Sequence, residues 1–123
     1  MRAIYEIRVG MEGPARARHA VTGELPGLVA PDTLDELELM VSELVTNAML
    51  YGETEESDTI TLRLRVNHLV RCEVVDHGLG FTVPDDLEAT RGRGLELVDR
   101  LAERWGVWHS TEGTHVWFES TTG

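Results

Sequence analysis

Apolar and polar positions alternate in five segments of the chain, which predicts five β-strands. The first strand is expected from Ala3 to Val9, where apolar residues alternate with charged ones. The remaining strands are predicted at 60–66, 69–75, 107–110 and 114–120. Asn67-His68 separates the second strand from the third, and this short polar pair is typical of a tight turn.

Three other segments have the apolar spacing of helices. The first is expected from Pro14 to about Leu25, because proline suits the first turn of a helix. The second is expected to begin at Thr33, which forms a capping-box pattern with Glu36, and to end at Gly52. The third is expected from about Arg93 to Arg104.

The order of these elements predicts the fold class. Helices occur mainly early in the chain and strands mainly late, which is typical of an α+β two-layer sandwich. A length of 123 residues suits a single domain, spanning residues 1–123.

Charge and composition restrict the classes of function. The chain has 22 acidic and 11 basic side chains, for a net charge of −11, and it contains no lysine. This balance argues against direct binding of nucleic acid. It fits either solubility alone or attraction of a basic protein partner. No apolar run is long enough for a membrane helix and no secretory signal is recognisable, so a cytoplasmic location is expected.

Glu43 and Asn47 lie one turn apart on the second predicted helix. Their neighbours on the helix surface include the apolar Leu39, Met40 and Leu50, which suggests a face that lines a pocket. The alternative is an ordinary solvated pair. A carboxylate in a pocket can act as a general base, and an amide oxygen can bind Mg²⁺. The predicted metal ligand is therefore Asn47.

Asp76 follows an apolar strand and precedes Gly78 and Gly80. Glycines allow a flat ligand to approach the backbone, and a buried carboxylate can accept a hydrogen bond from an exocyclic amine such as that of adenine. The alternative for this short motif is an ordinary turn after a strand.

Gly92-Arg93-Gly94-Leu95 stands directly before the third predicted helix. Exposed amides at a helix start can bind phosphate, and Arg93 can contribute a permanent positive charge. The alternative is that the glycines only permit a tight entry into the helix. Arg91 is a further candidate for phosphate contact, or else a solvated loop charge.

Taken in order, these motifs resemble the Bergerat-fold, or GHKL, ATPase superfamily. They are most similar to the small anti-sigma-factor serine kinase-like ATP-binding regulators of bacteria. The resembling segments are Ser42 to Ala48, Val75 to Gly80, Gly92 to Val98 and Gly113 to Glu119, so that the resemblance extends over the chain from Pro14 to Glu119. The resemblance implies a mixed β-sheet packed against three helices.

The same resemblance implies roles for individual residues. Glu43 would be the general base, Asn47 the Mg²⁺ ligand and Asp76 the adenine anchor. Thr114 would support adenine. The remaining implied ATP contacts are Gly78, Gly80, Arg91, Gly92, Arg93, Gly94 and Leu95, with a lid spanning about 81–91.

The function implied by the resemblance is that of a serine/threonine protein kinase that sequesters a sigma factor and phosphorylates an anti-sigma-factor antagonist. ATP and Mg²⁺ are the implied cofactors, and a homodimer is the implied assembly. Two alternatives stay open: an ATP-gated protein-binding module without phosphotransfer, and a degenerate domain that binds no nucleotide.

Overall fold

The computed structural model describes residues 1–51, 58–77 and 95–123 of the chain. In these ranges the order of elements is β1 Arg2–Arg8, α1 Gly13–Glu24, α2 Pro31–Tyr51, β2 Thr59–Val66, β3 Leu69–Asp76, α3 Glu96–Leu101, β4 Arg104–Ser110 and β5 Gly113–Thr121. Among these helices, none has the length and apolar character needed to cross a membrane.

The five strands form one sheet in the order β1-β2-β3-β5-β4. The four pairings are all antiparallel. The predicted α+β sandwich of about five strands is therefore confirmed, but the described strands form an antiparallel sheet where the family resemblance implied a mixed one. Antiparallel pairing needs only short connections, such as the turn at Asn67-His68 between β2 and β3.

One face of the sheet packs against the helices and carries the apolar core. Register aligns Leu62 of β2 with Val74 of β3, and Val74 with Val116 of β5, so that these side chains share a face. Each of the three is at most 8% exposed. Burying one such side chain stabilises the fold by about 1.5–3 kcal/mol. The core on this face therefore holds the two layers together.

Helix α2 supplies the other half of the core. Its inward stripe is fully or almost fully buried and comprises Leu37, Met40, Val41, Leu44, Val45 and Ala48. Leu39 and Leu50 are 53% and 68% exposed, so only Met40 among the three apolar neighbours of the Glu43–Asn47 pair is buried.

The predicted start of α2 is wrong by two residues. The helix begins at Pro31, and the amide of Leu34 donates to the carbonyl of Ala30 at 2.9 Å. Thr33 therefore lies inside the first turn and is not a capping residue. Proline has no amide hydrogen to lose at a helix start, which explains why Pro31 begins the helix. The first predicted helix agrees with α1 to within one residue at each end.

The predicted end of the third helix is also wrong. Helix α3 ends at Leu101, and Arg104 already belongs to β4, where it pairs with Glu119 of β5. Ala102 has an extended ψ of 152°. Extending β4 back to Arg104 gains cross-strand pairs, including Trp105 with Phe118, and this pairing overrides local helix preference.

Candidate functional site

The side chains of Glu43 and Asn47 face different environments, although they lie one turn apart on α2. Glu43 is half-buried. Asn47 is 8% exposed. Its side-chain oxygen Oδ1 is buried and has no hydrogen-bond partner in the described part of the chain. A buried polar atom without a partner is uncommon, because it costs about 1–3 kcal/mol.

The chemistry of this oxygen fits a magnesium ligand. Mg²⁺ prefers hard oxygen donors, and it is commonly held by one or two protein oxygens together with substrate phosphates and water. Among the described residues there is no cluster of three or more His, Cys, Asp or Glu side chains that could hold a metal. A single amide oxygen that shares the ion with phosphate is consistent with the unpartnered Oδ1 of Asn47 and with the lack of such a cluster among the described residues.

Asp76 and Thr114 form the second part of the candidate site. Asp76 is the last residue of β3, and register places it opposite Thr114 at the start of β5. Both side chains are 5% exposed. Alternation along the strands assigns them to the face that packs against the helices, the face that also carries Val74 and Val116. The structure therefore brings together these two predicted adenine-site residues.

Gly113 makes a close backbone approach that the sequence reasoning did not identify. Its φ is +141°, and a Cβ at this position would lie 1.9 Å from the carbonyl oxygen of Asp76. A side chain is therefore excluded sterically as well as conformationally. The signal available in the sequence was a glycine directly before Thr114, at the predicted start of the last strand.

His77 is fixed from two sides, which the sequence reasoning also missed. Its Nε2 lies 2.7 Å from the hydroxyl of Thr61 on β2. Its Nδ1 lies 3.0 Å from the carbonyl oxygen of Glu112, in the turn between β4 and β5. Thr61 in turn donates to Glu6 of β1 at 2.9 Å. Hydrogen bonds from separate elements thus hold the residue that follows Asp76.

The helices connect the two parts of the candidate site. Helix α2 packs against β3, which carries Asp76, and against α3. Leu95 is fully buried directly before α3, and its carbonyl accepts from the amide of Asp99 at 3.0 Å. Leu95 is therefore a packing residue at the helix start.

Six predicted site residues lie outside the described residues, as does the predicted lid at about 81–91. These residues are Gly78, Gly80, Arg91, Gly92, Arg93 and Gly94.

Comparison with known proteins identifies the class. A family model for the histidine kinase-like ATPase domain matches residues 12–119, which is most of the chain. The chain therefore belongs to the histidine kinase-like ATPase domain family, and the resemblance to GHKL proteins is confirmed.

Curated relatives give a more particular likeness. The chain is 31% identical over 122 aligned positions to an anti-sigma F factor of Lysinibacillus sphaericus, covering 87% of this chain and 83% of that protein. It is 29% identical over 99 residues to an anti-sigma F factor of Anoxybacillus flavithermus, covering 69% and 67% respectively. Within its family, the chain therefore belongs with the anti-sigma-factor-like regulators.

A solved structure shares the fold. The crystal structure of the RsbU and RsbW domains of Rv1364c from Mycobacterium tuberculosis matches with a TM-score of 0.77 at 16% identity. The match covers 98% of this chain but only 32% of that longer chain. Likeness at this identity shows the fold alone, so it supports the two-layer sandwich and not a shared activity.

Proposed function

We infer that this chain is an ATP-binding regulator that binds a sigma factor and phosphorylates a serine or threonine of an anti-sigma-factor antagonist. The observation that carries the proposal is the buried, unpartnered Oδ1 of Asn47. This atom belongs to the residue that the family motif assigns to Mg²⁺. Leaving a buried oxygen without a partner costs free energy, and such an atom is expected where a bound ligand supplies the missing contact.

The proposed division of roles follows from chemistry and position. Glu43 takes the proton from the partner's hydroxyl while that oxygen attacks the γ-phosphorus and the bond to the β-phosphate breaks. Asn47 holds the Mg²⁺, which when bound neutralises charge on the phosphates. Asp76 accepts a hydrogen bond from the amine of adenine, and Thr114 supports that end of the nucleotide.

Partner binding rests on relatives and charge. The relatives named as anti-sigma F factors support a sigma factor as one partner, and the antagonist is the expected phosphate acceptor. A net charge of −11 favours a partner with a basic surface. A homodimer in the cytoplasm completes the proposal.

Transfer of labelled γ-phosphate tests the catalytic part of the proposal. The chain is incubated with labelled ATP, Mg²⁺ and a candidate antagonist, and Glu43→Ala is compared with Glu36→Ala. Glu36 is exposed and lies two turns earlier on the same helix, so it controls for the loss of a carboxylate on that side of α2. Loss of a general base is expected to lower the rate by about 100-fold or more, whereas Glu36→Ala should transfer at the normal rate.

A second candidate function is an ATP-gated binding module that transfers no phosphate. The absence of lysine from the chain favours it, because only arginines are available to neutralise the phosphates. Tight ATP binding without transfer to any antagonist would support this function and contradict the kinase.

A further inference from the structure

The sheet face opposite the helices carries a polar network centred on His115. Register places Trp108 of β4 beside His115 of β5, and alternation assigns Glu73 of β3 and Ser110 of β4 to the same face. His115 is fully buried, and Glu73 is 7% exposed. Ser110 is exposed at the end of β4. The network therefore connects a buried base to a side chain at the surface.

Three side chains lie in a hydrogen-bonded row. The hydroxyl oxygen of Ser110 is 2.7 Å from Nε2 of His115. On the other side of the ring, Nδ1 of His115 is 3.2 Å from Oε1 of Glu73. A serine bonded to one ring nitrogen and a carboxylate bonded to the other is the arrangement that activates a serine nucleophile.

Glu73 is held as a carboxylate. Burial alone would raise its pKa, but hydrogen bonds from His115, Arg63 and Trp108 together lower the pKa below its usual value. Arg63 Nη1 donates to Oε1 at 3.0 Å, and Trp108 Nε1 donates to Oε2 at 3.2 Å. An ionised Glu73 accepts a hydrogen bond from Nδ1–H of His115, and in the neutral ring with this tautomer the lone pair of Nε2 faces Ser110.

The ring and the hydroxyl are both oriented. Trp108 stacks on His115 with ring centroids 3.7 Å apart and an angle of 17° between the planes. The backbone amide of Glu112 donates to the hydroxyl oxygen of Ser110 at 3.0 Å. The hydroxyl of Ser110 accepts from Glu112 and keeps its own proton, which it donates to Nε2 of His115 in the tautomer that carries the ring proton on Nδ1.

We propose that Ser110, His115 and Glu73 form a second chemical site, in which Ser110 accepts acyl groups from activated esters. The Ser110 oxygen bonds to the ester carbonyl carbon while His115 Nε2 takes the hydroxyl proton. The bond from that carbon to the leaving oxygen breaks, and the leaving alcohol takes the proton from His115. Glu73 is a positioning residue that fixes the ring.

The test uses p-nitrophenyl acetate with the full chain. Release of p-nitrophenol is followed by absorbance, and the acetylated residue is located by mass spectrometry of peptides. The chain contains no lysine, so side-chain amines do not compete for the acetyl group. Acetyl is expected on Ser110 faster than on any other serine. Acetyl found only on histidine, tyrosine or the terminus would overturn the proposal.

Variants test whether His115 and Glu73 activate the hydroxyl of Ser110. Ser110→Ala should abolish acetylation at this position. Ser42→Ala is the control for loss of a serine hydroxyl whose recorded hydrogen-bond partner is an arginine, since Ser42 accepts from Arg18 at 3.1 Å, and it should leave acetylation of Ser110 unchanged. His115→Gln should slow acetylation of Ser110 by about 100-fold, the effect of losing a general base.

Burial of His115 means that His115→Gln can unfold the chain, so two further measurements are decisive. Glu73→Gln keeps the shape and should still slow acetylation, because the ring loses its carboxylate partner. The wild-type chain unfolded in urea keeps its composition and loses the geometry. If unfolded and folded chains acetylate Ser110 at equal rates, the folded arrangement provides no activation and the proposal fails.

Discussion

A Cβ on Gly113 would lie 1.9 Å from the carbonyl oxygen of Asp76, which is too close for any side chain. The β4–β5 turn therefore rests directly on the backbone at the end of β3. His77, the next residue, donates from Nδ1 to the carbonyl of Glu112 in the same turn. The position of the proposed adenine anchor is thus coupled to the sequence of a distant turn.

Gly113→Ala should both destabilise the fold and weaken nucleotide binding. The clash and the positive φ together are expected to lower the free energy of unfolding by about 3 kcal/mol. Urea denaturation measures the loss, and an ATP titration measures the second effect. Gly27→Ala is the control, since Gly27 has φ +85° but nothing within 4 Å of its added Cβ. It should cost only about 1 kcal/mol and leave ATP affinity unchanged; equal losses in the two variants would contradict the proposed contact.

Asn47→Leu should separate function from stability. Replacing a buried amide that has an unpartnered oxygen by an apolar side chain of similar size removes a cost of about 1 kcal/mol. The melting temperature is therefore expected to stay constant or rise, while the Mg²⁺-dependent part of ATP binding disappears. Asn47→Asp is the control, because it retains an oxygen ligand. A marked fall in the melting temperature of Asn47→Leu would show that the amide is structural.

Acid should destabilise the chain partly through Glu73. Burial opposes ionisation of its carboxyl, but the hydrogen bonds from His115, Arg63 and Trp108 together hold the pKa in the folded state below its ordinary value of 4.5. A lowered folded pKa contributes stability that is complete above pH 4.5 and is lost as the pH falls through the folded pKa. Urea denaturation of wild type and Glu73→Gln, compared between pH 7 and pH 3, should show their difference shrinking below pH 4.5. A difference independent of pH would contradict this assignment.

Cys72 should report global unfolding. Its thiol is fully buried in β3, and burial raises its pKa, so the reactive thiolate is suppressed in the folded chain. Cys72 therefore behaves as a small buried apolar side chain in the folded protein. Labelling by a thiol reagent should require unfolding, and ATP at about 100 times its Kd should slow labelling about 100-fold. Labelling that ATP leaves unchanged, in a chain that binds ATP by calorimetry, would point to local opening of β3.

Regular periodicity made much of the fold predictable from the sequence. Alternation located β2 and β3 to within one residue, and the apolar stripe of α2 located its buried face. The candidate pair Asp76 and Thr114 was predictable because each lies at a strand end, where the pattern is clear. The expectation that Asn47 lines a pocket rested on its apolar neighbours Leu39, Met40 and Leu50. Asn47 is buried, but of these neighbours only Met40 is buried with it.

Features that depend on register were not predictable. Whether Arg104 continues a helix or begins a strand is decided by pairing with Glu119, 15 positions away in sequence. The approach of Gly113 to Asp76 and the row from Ser110 to Glu73 likewise join residues that are separate in the chain. Sequence spacing carries no signal for such contacts, because cross-strand register is fixed only when the whole sheet forms.

Calorimetric titration with ATP, in the presence and absence of Mg²⁺, tests the central claim most directly. The predicted result is that wild type binds ATP at least about tenfold more tightly with Mg²⁺, a difference of about 1.4 kcal/mol, and that Asn47→Leu loses this dependence while remaining folded. Absence of ATP binding by the wild-type chain, or an equal effect of Mg²⁺ on both proteins, would contradict it.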